Sequence, residues 1–500
     1  MTRPALRGAL VGIGLLTFAW ALLGLGARAT YGARTTADEP QYLLTALSLW
    51  EDRSLAIGDE LDEQRWRDFH EALLPVQTQP VDDDGTVVSP HDPLLPVLLA
   101  VPVGLAGWAG AKAALAALAG VLAALLVWTA VRRFGVDRTT ALVVVGAFSL
   151  TAPLTAYATQ VYPELPAALA VTVALAALTG PLDRSGRLVL AGAVVALPWL
   201  GVKYAPVAAV LAVAALALLW RRGDRAATGW TVAGLAGAGL VFLVAHRVLY
   251  GGWTVYAAGD HFVTGELGVM GFEPDYLGRT RRLAGLLLDR DFGLAAWSPV
   301  FLAAVPALAA LVRRRPAGWA TLVGTLAAGW ATATWVAFTM HGWWWPGRQT
   351  VVVVPCVVLT VAWWVDRLDA RRARAVVAGL GALGALFWGW FVVEVLAGGR
   401  RLIIDVESTS DPLLRAWRSV LPDYRDGGVA PWLWQALWLA MLAGAAAWAW
   451  QGAGGGAPAG GGGRSARSGP GSGGDEDPAA GEGADADVPA LDLHGGRPVG

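Results

Sequence analysis

The sequence has few of the residues that keep soluble chains in solution or cross-link secreted ones. Only 15% of its 500 residues are charged, against roughly 25% in soluble globular chains. A single cysteine, Cys356, lies inside an apolar run and excludes both a disulfide framework and a thiolate zinc site. It reads as a small core residue. No Walker motif, no Cys/His zinc spacing and no Gly-x-Ser-x-Gly element is present. The net charge of −1 says nothing about partners, because the charges are sorted between two compartments, and no motif supports nucleic-acid binding. Charge is almost absent from the apolar runs themselves. Proton-coupled and many other secondary transporters need ionisable groups near the bilayer midplane, and that pattern is missing.

What remains is apolar. Hydrophobic residues make up 55% of the chain, with 26 tryptophans, and uncharged runs of about 18 residues recur, each enough for a ~30 Å hydrocarbon core. The fold class expected is an all-α polytopic membrane protein. Candidate spans are 8–27, 112–131, 139–157, 163–179, 187–202, 205–220, 228–249, 294–312, 318–338, 349–365, 374–394 and 431–450, about twelve transmembrane helices. With the N-terminus inside, the basic loops 132–138, 183–187, 221–225, 313–315 and 366–374 all fall on the cytoplasmic side, as the positive-inside rule asks. The agreement requires that "PLLPVLLAVPVGLAGWAG" (93–110) does not cross, so it reads as an external interfacial or re-entrant helix. The apolar run after Arg3 and Arg7 resembles a long signal peptide but is taken as an uncleaved span.

The domain expected is therefore a transmembrane unit over 1–451, with a first external loop at 28–111 carrying juxtamembrane helices. Residues 452–500, rich in Gly, Ala, Pro, Ser and Asp, are expected to form a disordered cytoplasmic tail. The protein is placed in the plasma membrane with both termini cytoplasmic.

The polar residues gather at the external ends of the spans. "TTADEPQYL" reads as a turn entering a helix, with Pro40 in its first turn and Asp38 and Glu39 at its N-terminus. Capping is one role for these two carboxylates; a general base held at the membrane surface is the other. Glu164 in "YPELP" poses the same choice. Lys203, Arg279, Arg281, Arg282, His341 and Arg348 are external cations. Among them Arg279, Arg281 and Arg282 read as residues snorkelling toward lipid headgroups. The three tryptophans of "HGWWWPGR" suit an interfacial anchor or a platform for a sugar ring, with Arg348 gripping a phosphate.

The acidic first-loop motif resembles that of the GT-C superfamily of polyprenyl-phosphate-sugar-dependent glycosyltransferases. This superfamily includes the protein mannosyltransferases and the bacterial lipid A aminoarabinose transferase. Features similar to a bacterial phospholipid-carrier-dependent branch follow in order: "SPHDPLLPVLLAVP", "TAPLTAYATQVYPELPAALA", "LPWLGVKYAP", "LLLDRDFGLAAWSPVFLAAVPAL" and "HGWWWPGRQTVVVVP". The resemblance implies a GT-C-like fold. It also implies transfer of a sugar from a polyprenyl-phosphate donor to a glycan, lipid or protein acceptor of the cell envelope, at the extracytoplasmic face. It assigns Asp38 as the base for the acceptor hydroxyl, with Glu39 assisting and Glu164 as a second acidic residue. Some relatives have Asp at the Glu164 position, and some have Lys-Pro where this chain reads His91-Asp92-Pro93. Phosphate binding would fall to His91, Lys203, Tyr204, His341 and Arg348. The sequence demands no cofactor, and a divalent metal remains compatible with it. A lipid-linked glycan flippase and a non-catalytic envelope-assembly scaffold are the other classes it admits. Membrane lipids are the remaining partners; nucleic acid is not one.

Overall fold

Long apolar runs form single long helices, some of them passing through a proline such as Pro102 or Pro198, while at other prolines the helix breaks. The computed structural model describes residues 3–81, 85–255, 276–337, 339–425 and 428–454. The expected tail beyond 454 and the middle of the 250–293 loop lie outside the described residues. Seven described helices are long and apolar enough to cross a membrane: Ala5–Leu22, Leu94–Arg133, Val202–Arg221, Arg225–Tyr250, Arg348–Val365, Arg371–Leu396 and Ala430–Gly454.

The other expected spans are shorter or broken. The 139–157 run is helical over Arg138–Ser149 and resumes only at Leu154–Tyr157, after Pro153. The 294–312 run is split at Ser298 and Pro299 into Leu294–Trp297, a 3-10 turn and Ala304–Arg314. Proline removes a backbone donor and crowds the preceding turn, which accounts for both breaks. The last helix runs to Gly454, slightly past the expected boundary at 451.

The segment 93–110 begins a helix that continues into the next span but bends sharply on the way. Ala106 (φ −147°) and Gly107 (φ 57°) leave helical geometry, separating a rod before the bend from one after it. Gly104 lies under the Trp50 indole, where any side chain would collide with the ring. That contact docks the first-loop helix Glu39–Glu51 on the rod before the bend. Deeper in the bundle, Gly14 and Gly120 bring the first helix and the Leu94–Arg133 helix into backbone contact. Small residues allow such close packing between membrane helices.

Three helices show how the ends are sorted. Glu164–Leu178 carries Glu164 at one end, and Gly180, just past its other end, packs against Arg133. Val202–Arg221 runs from Lys203 to the 221–225 loop, and Arg348–Val365 runs from Arg348 to Asp366. Asp366 accepts the Asp137 N–H at 2.9 Å, and Arg374 reaches Asp137 at 3.4 Å. Arg187 pairs with Asp224 at 3.7 Å, and Arg314 donates to the Ala453 carbonyl at 3.0 Å. The five basic loops thus gather at one end of these helices, with Glu164, Lys203 and Arg348 at the other. Large apolar side chains such as Leu15, Leu240 and Leu433 face outward, as a lipid-facing surface requires.

Candidate active site

Four segments far apart in the chain meet at the end opposite the basic loops. Arg348 is their centre. Its Nη2 donates to Asp38 Oδ2 at 2.6 Å, and its Nε donates to Glu164 Oε1 at 2.8 Å. Lys203 Nζ donates to that same Glu164 oxygen at 2.7 Å. Two carboxylates and two cations therefore form one chain of charge-assisted hydrogen bonds, the strong class of such contacts. The Arg348 guanidinium also lies 4.1 Å from the Tyr162 ring centroid and 5.0 Å from that of Trp344, a stacked setting that suits arginine.

Accessibility divides the four. Glu164 and Arg348 keep 1% and 7% of their side-chain exposure, whereas Asp38 and Lys203 keep 20% and 21%. Asp38 and Lys203 are thus partly exposed, while a buried pair holds them in place. The second Glu164 oxygen is buried without a hydrogen-bond partner. Burial pushes the Asp38 carboxyl up, but Arg348, His91 and Lys203 together outweigh it and hold it down to about 2. Asp38 is therefore an anion at neutral pH.

The local sequence explains the placement of each group. Asp38 stands at the N-cap of Glu39–Glu51, yet its side chain makes no capping hydrogen bond. Pro163 caps the helix beginning at Glu164, again without a side-chain bond, and the Glu164 carboxylate faces Arg348 and Lys203 instead. Gly347, at φ +82°, makes the turn that presents Arg348. The turn bearing Lys203 is pinned from below by Asp92, which accepts the Val202 N–H at 3.0 Å and faces His246 Nε2 at 3.0 Å. Asp92 belongs to the "SPHDP" motif, whereas no sequence motif announces its partner His246. The ring of Tyr204 lies 5.2 Å from Lys203 Nζ. His91 stacks on Tyr42 at 4.7 Å and meets Gln77 at 3.1 Å, near enough for its charge to act on Asp38.

Glu39 has a different setting from the one expected for an assisting base. Its Oε1 accepts the Thr36 N–H at 3.1 Å and its Oε2 accepts the Val161 N–H at 2.8 Å, so both oxygens are committed to backbone. Thr36-x-x-Glu39 has the spacing of a capping box, a signal present in the sequence as Thr-Ala-Asp-Glu but masked by the catalytic reading of the motif. The Val161 contact ties the first loop to the turn before Glu164. Glu39 positions the two catalytic candidates on either side of it. Glu39→Gln replaces one acceptor by a donor and leaves a buried N–H unpaired, an expected loss of about 1–3 kcal/mol. Thermal melting of the purified protein checks this; an unchanged melting temperature with lost activity would return Glu39 to the chemistry.

His341 is not brought to this site. It lies 3.7 Å from Asp289 and edge-on to Phe292, in a second polar cluster with Asp291, Arg418 and Arg425. The three tryptophans beside it have three different surroundings. Trp343 is 64% exposed, Trp344 lies against Arg348, and Trp345 is buried among Trp297, Trp388 and Phe391. Arg279 and Arg282 donate to the carbonyls of Trp335 and Ala337, each at 2.6 Å, and so secure the end of the helix over 319–336.

No family model and no curated protein matches the chain. Among solved structures it is similar to ArnT from Cupriavidus metallidurans bound to undecaprenyl phosphate, at 13% identity over 89% of this chain and 78% of that one, with a TM-score of 0.48. The apo form of the same protein gives 16% identity, coverage of 89% and 72%, and a TM-score of 0.47. The arabinosyltransferase EmbB from Mycobacterium smegmatis gives 15% identity and a TM-score of 0.42, over 89% of this chain and 41% of that one.

Proposed function

We propose that the protein is an integral-membrane glycosyltransferase moving a sugar from a polyprenyl-phosphate donor to a cell-envelope acceptor at the extracytoplasmic face. The observation that carries this reading is the accessible Asp38 carboxylate and Lys203 ammonium, joined through the buried Arg348 and Glu164. Such a site supplies both requirements of glycosyl transfer from a lipid phosphate. A carboxylate takes the acceptor hydroxyl proton as the new bond to the anomeric carbon forms. Cations stabilise the phosphate that leaves with the electron pair of the broken bond.

The Asp38–Arg348 contact gives an order to these events. While Arg348 holds it, Asp38 is an anion of low basicity, and a donor phosphate competing for the guanidinium raises its proton affinity. Lys203 offers that phosphate a second contact, and Trp344 offers a ring face beside it. The basic loops at the opposite end support an external site through the positive-inside rule. Incubation of the purified protein with synthetic undecaprenyl-phosphate sugars and envelope acceptors, followed by mass spectrometry, tests the reading. Gain of one glycosyl unit from at least one donor is expected. Movement of intact donor across vesicles without transfer would favour a flippase instead.

A further inference from the structure

A second constellation of oxygens lies in the first loop, at the far end of the helix that begins beside Asp38. Asp52 is the C-cap of Glu39–Glu51, and Asp59 and Glu60 belong to the short helix Gly58–Asp62. One carboxylate oxygen from each lies within 4.8 Å of the others. Clusters of exposed acids are common without a ligand, but Glu60 is not exposed. It keeps 2% of its surface, and neither of its buried oxygens has a hydrogen-bond partner. Among the described residues no basic side chain pairs with any of the three. The nearby Arg65 is engaged by Glu51 at 2.8 Å and Glu63 at 3.5 Å. A buried carboxylate facing two others with no counter-charge is costly unless a proton or a cation neutralises it, and a bound cation would serve all three at once.

We infer that Asp52, Asp59 and Glu60 form a binding site for a hard divalent cation of the calcium type. All three donors are carboxylate oxygens, which select calcium, magnesium or manganese over softer metals. Calcium binds oxygens at about 2.3–2.6 Å in a flexible shell, so any two of its ligands stand no more than about 4.6–5.2 Å apart. The three oxygens all lie within 4.8 Å of one another, inside that limit. Asp52 closes the C-terminal end of its helix, where the helix dipole also favours a cation. Water completes the shell on the exposed side of Asp52 and Asp59. The ion joins the end of the Glu39–Glu51 helix to the Gly58–Asp62 helix, which is itself tied to the loop by the Ile57 N–H to the Val87 carbonyl at 2.9 Å. It thereby fixes from below the helix whose first turn carries the candidate base.

Terbium luminescence on the full-length protein in detergent tests this without reference to glycosyl transfer. Trp50 lies two residues from Asp52 and serves as the sensitiser. The expected result is tryptophan-sensitised terbium emission that calcium displaces, with calcium affinity on the order of 10⁻⁴–10⁻³ M, as for extracellular sites of modest ligand count. Glu60→Gln should weaken calcium binding by on the order of tenfold or more, the loss of one charge-assisted contact. Asp52→Asn, at an exposed position that folding tolerates, should weaken it similarly. Calcium should raise the melting temperature of the wild type and not of either variant. Absence of calcium-displaceable emission in the wild type overturns the inference. So does equal affinity in wild type and Asp52→Asn, or a Glu60→Gln melting temperature that calcium raises as much as it raises that of the wild type.

Discussion

Asp38→Asn is expected to reduce glycosyl transfer by roughly 10²–10⁴-fold, the usual contribution of a general base, while the protein still folds. The substitution keeps the shape of the side chain and an oxygen able to accept from Arg348 Nη2. It removes no cap, because Asp38 makes no side-chain capping bond. Arg348 retains Glu164 and its two aromatic neighbours. A structural role and a chemical role therefore separate in one variant. Mass-spectrometric turnover and thermal melting on the same preparation provide the two readouts, and near-normal turnover would make Asp38 a structural residue. The pH dependence of stability has a defined sign. In the folded chain Arg348, His91 and Lys203 outweigh burial and hold the carboxyl down to about 2, against an ordinary value of 3.8 when unfolded. Its stabilising contribution is complete above about pH 4 and is lost as pH falls toward 2. Asp38→Asn should lack that acid-side loss.

Arg348→Ala should be the most damaging single change at the site. It removes the group that bridges both carboxylates and leaves Glu164, 1% exposed, with Lys203 alone. Breaking a buried ion pair from one side costs about 3–5 kcal/mol of stability, and the proposed contact to the donor phosphate would be lost with it. Arg348→Lys distinguishes the two effects. Lysine restores a charge but not the fork that serves Asp38 and Glu164 at once, so stability should recover further than turnover. Lys203→Ala should be milder, a loss of roughly 10–150-fold in kcat/KM if the ammonium contributes one charge-assisted contact of about 1.5–3 kcal/mol. That loss should be equal for donors that differ in sugar but share one lipid phosphate, because the contact does not touch the sugar. Wild-type efficiency in both alanine variants would place the phosphate elsewhere.

Charge sorting makes part of this site legible in the sequence. A chain that keeps its spans nearly free of charge must put ionisable groups at their ends, so Asp38, Glu164, Lys203 and Arg348 stand out although 310 positions separate the first from the last. What sequence does not carry is direction. His341 opens the same aromatic loop that ends at Arg348, yet its ring turns toward Asp289, and nothing in "HGWWWPGR" encodes that turn. Glu39, adjacent to Asp38, points away from it into two backbone N–H groups. Lys112 stands in the sequence as the first residue of an expected span. It is buried, its ammonium donating to the Arg34 carbonyl at 3.0 Å, a role set wholly by tertiary packing. The interrupted helices blur the count of spans, since an apolar run shows its length in sequence but not the residue at which proline stops it.

The Glu164–Leu178 helix has 15 residues, and at about 1.5 Å per residue it is about 22 Å long. A hydrocarbon slab of ~30 Å is thicker than that. In a slab with the basic loops held at one surface, Glu164 would lie several ångströms beneath the other, and Lys203 and Arg348, which start longer helices, meet it there. The bilayer next to this helix must thin, or water and headgroups must descend to meet the carboxylate. A phosphate on a long isoprenoid tail meets the same mismatch from the lipid side. The headgroup of the proposed donor would gain cationic partners by sinking below the level of its neighbours, so membrane thickness itself would become a determinant of how readily that donor is taken from the bilayer.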